Sequence, residues 1–312
     1  MRILVTGGSG RLGQSVVRGL AAAGHHVVSV DRAEVPGLPA RQFTCDLSNR
    51  DAAMLLMTEQ APDAVIHLAA IAVPFSAPED EILATNSALT YNVLDAASAA
   101  GATRILAASS PTVIGYGAPG GWLPQYLPLD ERHPTAPWNA YSLSKLGIEN
   151  TVRMFAAQHG DTITFGSFRP CFVISPEEWA GAPTQQGHTV VDRLNDPALA
   201  AVSLFNYLDA RDAADFVLAW LSHAESAQNG EVFFVCASDA LARRPLAELI
   251  PRYLPQSDTL AAGLTGTAPA FTAGHASDVL GWRPSRSWRT ELSPEQLALL
   301  DPTPTLTESR IS

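Results

Sequence analysis

The chain's single lysine stands four residues after a tyrosine. In Tyr141-Ser142-Leu143-Ser144-Lys145 the two occupy one face of a helix. A free tyrosine titrates near 10 and is a poor base at neutral pH. A cation held close lowers that value, so the phenol can pass a proton to or from a substrate oxygen while hydride moves at a nicotinamide. Lysine suits the task, because its compact charge rides on a flexible stem that also reaches a ribose hydroxyl; arginine is no simple replacement. Of the 20 Lys and Arg residues only Lys145 is lysine, and there are six tyrosines among 312 residues. The lone lysine would fall four after a tyrosine by chance about 2% of the time. The competing reading is a surface lysine on an exposed helix face.

A second constellation lies at the start of the chain. Gly7, Gly10 and Gly13 in Thr6-Gly7-Gly8-Ser9-Gly10-Arg11-Leu12-Gly13 follow a short apolar run and open an amphipathic stretch. Glycines at this spacing allow a tight turn and close backbone approach to a pyrophosphate. The anion then rests on the helix N-terminus, whose unpaired N–H groups and dipole favour it. Gly7, Gly10, Arg11, Leu12 and Gly13 are therefore cofactor-binding candidates. Asp31 ends the second apolar run. A carboxylate there accepts from the adenosine ribose hydroxyls and repels a 2′-phosphate, which favours NAD. Arg11 and Arg32 lie near enough in sequence to leave NADP open, and a turn or N-cap aspartate is the structural alternative. Ser109 and Ser110 end a later apolar run, where a hydroxyl can hold a substrate oxygen beside Tyr141; either could equally cap the loop.

These groups need a scaffold, and the patterning describes one. Apolar runs at 3–5, 27–30, 42–45, 64–68, 104–108 and 163–168 read as strands. Helical stretches at 14–23, 79–100 and 139–158 alternate with them. That alternation predicts an α/β fold, a Rossmann-type doubly wound parallel sheet with helices on both faces. Residues 111–136 are rich in Pro, Gly and Trp without period, the mark of a functional loop. Beyond Pro170 the period loosens, with a helix expected at 211–221, a strand at 231–237 and a helix at 245–254. We expect residues 1–170 to form the NAD(P)-binding domain. Residues 171–300 would form mainly a smaller substrate-binding lobe that crosses back to the first domain, and 301–312 a flexible tail.

Composition narrows the class. The formal net charge of −11 argues against nucleic acid or an anionic membrane as partner. No apolar run reaches the ~18 residues a membrane span needs. The N-terminus lacks a signal peptide's features, so the expected setting is the cytoplasm. Cys45, Cys171 and Cys236 are far apart and form no CxxC, and the eight histidines are scattered, so no metal is expected. His25-His26 reads as a loop-to-strand junction. Cys171 reads either as lining the nicotinamide side or, more simply, as a buried structural thiol.

Together these residues resemble the extended short-chain dehydrogenase/reductase superfamily, in particular its NAD-dependent epimerase/dehydratase family, over most of the chain. Thr6–Gly13 is similar to that family's nucleotide loop. By resemblance, Cys45-Asp46-Leu47 implicates Asp46 and Leu47 at the adenine, and His67-Leu68-Ala69-Ala70 implicates Leu68, Ala69 and Ala70 beside the cofactor. Asn86 resembles the family's helix asparagine, and Arg169-Pro170 its Arg-Pro, which implicates Pro170 on the nicotinamide side. Ser109-Ser110-Pro111-Thr112-Val113-Ile114-Gly115 points to Ser110 as the catalytic hydroxyl. Residues 207–212 and Leu280-Gly281-Trp282-Arg283-Pro284 match later family stretches. Where sugar dehydratases of the family carry Asp-Glu as acid and base, this chain has Pro111 and Thr112, which argues against dehydration. Val113–Tyr116 is closer to uronate dehydrogenases, although that branch is shorter and has Asn-His at 111–112.

The resemblance implies an NAD(P)-dependent dehydrogenase or reductase working between a secondary alcohol and its ketone, in a sugar or polyol derivative. Tyr141 would be the proton donor and acceptor, Lys145 would lower its pKa and hold the nicotinamide ribose, and Ser110 would orient the substrate. A nucleotide-sugar epimerase with tightly held NAD is the alternative. A non-catalytic NAD(P)-sensing protein is a second, and it would have little need of the Tyr/Lys pair. A homodimer is common in the family. Trp122, Trp138, Trp179, Gln185, Gln186 and His188 are candidates for substrate contact, each equally readable as packing or loop solvation.

Overall fold

The computed structural model describes residues 1–300; the tail expected at 301–312 lies outside them. Seven strands form one sheet: β1 (Arg2–Thr6), β2 (His26–Asp31), β3 (Arg41–Thr44), β4 (Ala64–His67), β5 (Arg104–Ala108), β6 (Thr164–Pro170) and, after the short pair β7 (Val173–Ile174) and β8 (Leu208–Asp209), β9 (Glu231–Val235). The order is β3-β2-β1-β4-β5-β6-β9, and every neighbouring pair is parallel. Strands this apolar, such as Ala64-Val65-Ile66 and Ile105-Leu106-Ala107, are buried on both faces, as a parallel sheet covered by helices requires.

The helices α1 (Arg11–Ala22), α2 (Arg50–Gln60), α3 (Glu79–Ala99) and α4 (Ala140–His159) lie between strands of the first half. The short α5 (Pro176–Trp179), α6 (Val190–Asn195) and α7 (Pro197–Ala201) precede α8 (Ala210–His223), and α9 (Leu246–Tyr253) follows β9. α1 packs on α8 and, with residues from the second half of the chain, builds one core, whereas α2, α3 and α4 pack together over the other face. Gly19 makes the first contact possible, because a Cβ there would sit 2.8 Å from that of Ala214. The fold is thus the doubly wound Rossmann type, and its sheet is completed by β9 from the second half of the chain.

Two elements depart from the sequence reading. α2 was not anticipated; Asn49 caps it by accepting from Ala52 N–H at 3.1 Å, and its hydrophobic face is only weakly periodic. The stretch 175–197 looked aperiodic because its helices are only four to six residues long, too short to display a period. Ser175 and Thr189 start two of them with capping boxes. Among the described residues no helix is long and apolar enough to cross a membrane.

The strand order reverses between β1 and β4, and ligands of such sheets bind outside the carboxyl ends of the strands at that point. The residues singled out in the sequence leave those ends: Gly7–Gly13 after β1, Asp31 at the end of β2, Leu68–Ala70 after β4, Ser109-Ser110 after β5 and Pro170 at the end of β6.

Candidate active site

The glycine loop is held by contacts that admit no side chain. Gly7 has φ +71°, and a Cβ there would fall 2.7 Å from the Ala69 nitrogen. A Cβ at Gly13 would fall 2.1 Å from the Gly7 carbonyl oxygen. At Gly10 the only near atom is that oxygen, at 3.3 Å, so a side chain would fill the space in front of α1 instead. No side chain caps α1, which leaves the first-turn N–H groups of Arg11, Leu12 and Gly13 without helical partners. This is a cradle suited to a pyrophosphate. Asp31 reaches it: its Oδ2 accepts from Ser9 N–H at 2.9 Å and its Oδ1 from Arg32 N–H at 2.7 Å. A carboxylate offers about four lone-pair sites, so acceptor capacity remains for a ribose.

Arg11 is spoken for. Its guanidinium pairs with the buried Glu178 of α5, a strap between the glycine loop and that helix. Asp46 is exposed and turned onto Ser48, whose hydroxyl and N–H it accepts at 2.7 and 3.0 Å; these bonds hold its carboxyl below the usual range. Leu47 is buried beneath it.

The Leu68–Ala70 loop is fixed from below. Thr6 Oγ1 accepts from the N–H groups of Leu68 and Ala69, both at 3.2 Å, and donates to His67 Nδ1 at 2.8 Å. Burial, and then the Lys145 charge, push His67 down to about 3, so the imidazole is neutral and serves as a structural acceptor. Asn86 clamps the same loop to α4. Its Oδ1 accepts from Ile71 N–H at 2.8 Å, and its Nδ2 donates to Ile71 O and to Ser144 Oγ.

Ser110, Tyr141 and Lys145 come together, each less than a tenth exposed. Asn139 caps α4 through Ser142 N–H, and the first turn then places Tyr141 at the cleft. Ser110 begins a 3-10 turn over Pro111–Ile114. Its oxygen accepts from the Thr112 hydroxyl at 2.9 Å and Thr112 N–H at 3.3 Å, so its own proton is free to stabilise the Tyr141 oxygen, whose pKa it lowers. Thr112, at a position the dehydratases give to an acid or base, here orients Ser110.

The electrostatics differ from the expectation. Burial raises the Tyr141 phenol above 10 and the Ser110 bond offsets only part of this. Lys145 Nζ donates to Ala108 O at 3.0 Å and lies 5.7 Å from the Tyr141 ring centre; burial lowers it from 10.5 to about 8. The ammonium is thus anchored to the strand end, and burial rather than the cation sets the direction of the phenol's shift.

Behind the triad lies a buried ion pair that sequence reasoning missed. Arg169 donates to Glu149 from Nε at 2.7 Å and from Nη2 at 2.9 Å, and Ser109 Oγ donates to Glu149 Oε1 at 2.7 Å. The signal was present: Glu149 follows Lys145 by four residues on the buried face of α4, where a charge requires a partner. Ser109 therefore serves this support, and Ser110 faces Tyr141. Tyr116 was missed as well; its phenol lies within electrostatic reach of Tyr141 and Cys171.

The proposed substrate contacts do not converge. Trp179 is core, its indole donating to Asp209 at 2.7 Å. Gln185 and His188 are exposed, and Gln186 accepts from Arg193. Trp122 packs on Tyr116, and Trp138 donates to the Tyr116 carbonyl at 3.2 Å, so of these candidates these two gather around Tyr116. Pro170 ends β6, partly exposed.

Residues 3–236 match the model of the NAD dependent epimerase/dehydratase family. A UDP-glucose 4-epimerase of Azospirillum brasilense is 32% identical over 166 residues, covering 51% of this chain and 46% of that protein. A 2'-dehydrokanamycin reductase of Streptomyces kanamyceticus is 34% identical over 156 residues, covering 49% of this chain and 38% of that protein. The match thus spans about half the length of these curated relatives or less. The crystal structure of a short-chain dehydrogenase/reductase superfamily protein from Agrobacterium tumefaciens with bound NAD superposes with a TM-score of 0.71 and 25% identity, covering 96% of this chain and 97% of that one.

Proposed function

The chain belongs to the NAD dependent epimerase/dehydratase family, and from that premise we propose that it is an NAD(P)-dependent oxidoreductase acting between a secondary alcohol and its ketone in a sugar or polyol derivative. The observation that carries this reading is the convergence of Ser110, Tyr141 and Lys145 at the carboxyl end of β5. NAD fits the cradle of Gly7, Gly10 and Gly13 and would be held there, with Asp31 at its ribose. Asp46 and Leu47 would meet the adenine, Leu68–Ala70 and Pro170 would flank the dinucleotide, Asn86 would hold that flank in place, and Lys145 would take the nicotinamide ribose. Bound there, the dinucleotide takes or supplies the hydride, which no side chain can do.

The protein's own part is the proton. Tyr141, protonated at neutral pH, donates to the substrate oxygen while Ser110 holds that oxygen, and the Lys145 ammonium compensates the phenolate that forms. We assign the segments after Pro170 that do not return to the sheet to the substrate lobe, and we place the activity in the cytoplasm, where free thiols persist. The runner-up, a nucleotide-sugar epimerase, is supported by the Azospirillum relative.

The deciding experiment incubates the protein with NAD or NADP and a panel of alcohols, uronic acids and UDP-sugars and follows the reduced-nicotinamide absorbance. Net turnover establishes the oxidoreductase. Interconverted UDP-sugars without net reduction establish the epimerase. Neither result leaves the sensing protein as the better reading.

Two expected outcomes follow from the site. Lys145 is charged below about 8 and neutral above it. The kcat/KM for ketone reduction should therefore fall as pH rises through that value, and a profile flat from neutral to strongly alkaline pH would remove the role given to its charge. Asp31→Asn should raise the NADP-to-NAD ratio of kcat/KM by about tenfold or more, the scale of one charged hydrogen bond together with relief of repulsion. An unchanged ratio would take Asp31 away from the ribose.

A further inference from the structure

Cys171 and Cys236 are the first residues beyond β6 and β9. The parallel register pairs Pro170 with Val235, so the two cysteines come next to one another, and Cys171 N–H donates to Val235 O at 2.9 Å. Each residue is 2% exposed, and the two thiols are close enough to interact electrostatically. Adjacent strands lie about 4.8 Å apart, inside the Cα range of about 4.4–6.8 Å that a disulfide spans. The two thiols differ in what they border. Cys236 lines an open cavity of about 480 Å³ together with Pro128, Leu264, Phe271, Ser277 and Trp282. Cys171 lies within electrostatic reach of the Tyr116 phenol, as Tyr141 does. The pair is thus the wall between the catalytic cluster and a second opening.

We propose that Cys171 and Cys236 form a redox-active dithiol that a hydroperoxide entering by the cavity closes to a disulfide. In the first step the Cys236 sulfur attacks hydrogen peroxide, the O–O bond breaks, and Cys236 sulfenic acid and water form. In the second the Cys171 sulfur displaces hydroxide from the sulfenic sulfur. The S–S bond forms as the S–O bond breaks, and the Cys171 proton leaves with the hydroxide as a second water. Two thiols are oxidised and one peroxide is reduced. Burial and the Cys236 contact hold the Cys171 thiol in its protonated form, which fits it to the second step. Cys45, half-buried and distant in the fold, is the internal control.

The test treats the full chain with excess hydrogen peroxide, alkylates remaining thiols, and maps cysteine peptides by mass spectrometry without reduction. The expected result is a Cys171–Cys236 cross-linked peptide, an intact mass lower by two hydrogens, and return of both thiols with dithiothreitol. Accumulation of sulfinic acid at either cysteine without the cross-link overturns the proposal. In Cys171→Ser, the Cys236 sulfenic acid has no resolving partner and should be trapped by dimedone. Dimedone capture at Cys171 in Cys236→Ser, with none at Cys236 in Cys171→Ser, reverses the order and overturns the route through the cavity. The wild-type map decides whether the disulfide forms even where a serine variant fails to fold.

Discussion

Tyr141→Phe should lower kcat by about 10²- to 10⁴-fold, the usual worth of a positioned general acid, while the dinucleotide still binds. The substitution keeps the ring that α4 packs at the cleft and removes one oxygen, whose protein partner is Ser110. Ser110 keeps its two bonds from Thr112, so the 3-10 turn should survive. Because the phenol acts on the proton in flight, the loss falls on kcat and kcat/KM together. The measurement is steady-state turnover with both substrates saturating, alongside dinucleotide binding followed by intrinsic fluorescence. Turnover within a few-fold of wild type would take the proton away from Tyr141, and Tyr116, the other phenol in reach, would then be the residue to remove. A variant that neither turns over nor binds the dinucleotide would mean that Tyr141 holds the cleft together. The same loss is expected for an epimerase, since it too moves a proton and a hydride at one carbon. This variant therefore separates both enzymes from a sensing protein, and product analysis separates the enzymes.

Much of the framework was legible because its determinants are local. A strand, three glycines and the first turn of a helix between Arg2 and Gly13 carry the nucleotide cradle, and i to i+4 spacing carries Tyr141 and Lys145. The parallel sheet followed from buried apolar runs separated by helices. What escaped depends on contacts distant in sequence. Glu149 and Arg169 lie on different elements and meet only when β6 docks under α4. Whether Ser109 or Ser110 faces the phenol turns on the strand end, because successive side chains there point opposite ways. The local signal left both open, and only the resemblance chose between them. The expected lowering of the Tyr141 pKa assumed an ammonium set against the phenol. The fold ties that ammonium to Ala108 O and buries both groups, so the cost of burying a charge, invisible in a motif, decides the direction.

Glu149→Ala should cost about 3–5 kcal/mol, the scale for breaking a buried ion pair from one side. Glu149 is fully buried and takes two bonds from Arg169 and one from Ser109, so its removal leaves a guanidinium at 1% exposure without its carboxylate. That guanidinium already has one buried nitrogen, Nη1, without a partner, and it stacks 5.0 Å from the Phe234 ring centre. The chain has no slack there to rehydrate the charge. Replacing both partners, as Glu149→Leu with Arg169→Met, removes the orphaned charge along with the pair. The double variant should then be more stable than Glu149→Ala by a clear margin in denaturant midpoint, because the desolvation cost disappears with the charges. A Glu149→Ala midpoint within about 1 kcal/mol of wild type would mean water reaches Arg169. The double variant also isolates what the pair does for catalysis. Ser109, the residue before Ser110, loses its Glu149 acceptor and keeps only the bond to the Lys145 carbonyl at 3.2 Å. Restored stability with kcat still depressed would therefore assign the pair to positioning the hydroxyl that holds the substrate oxygen, and recovery of both would confine it to stability.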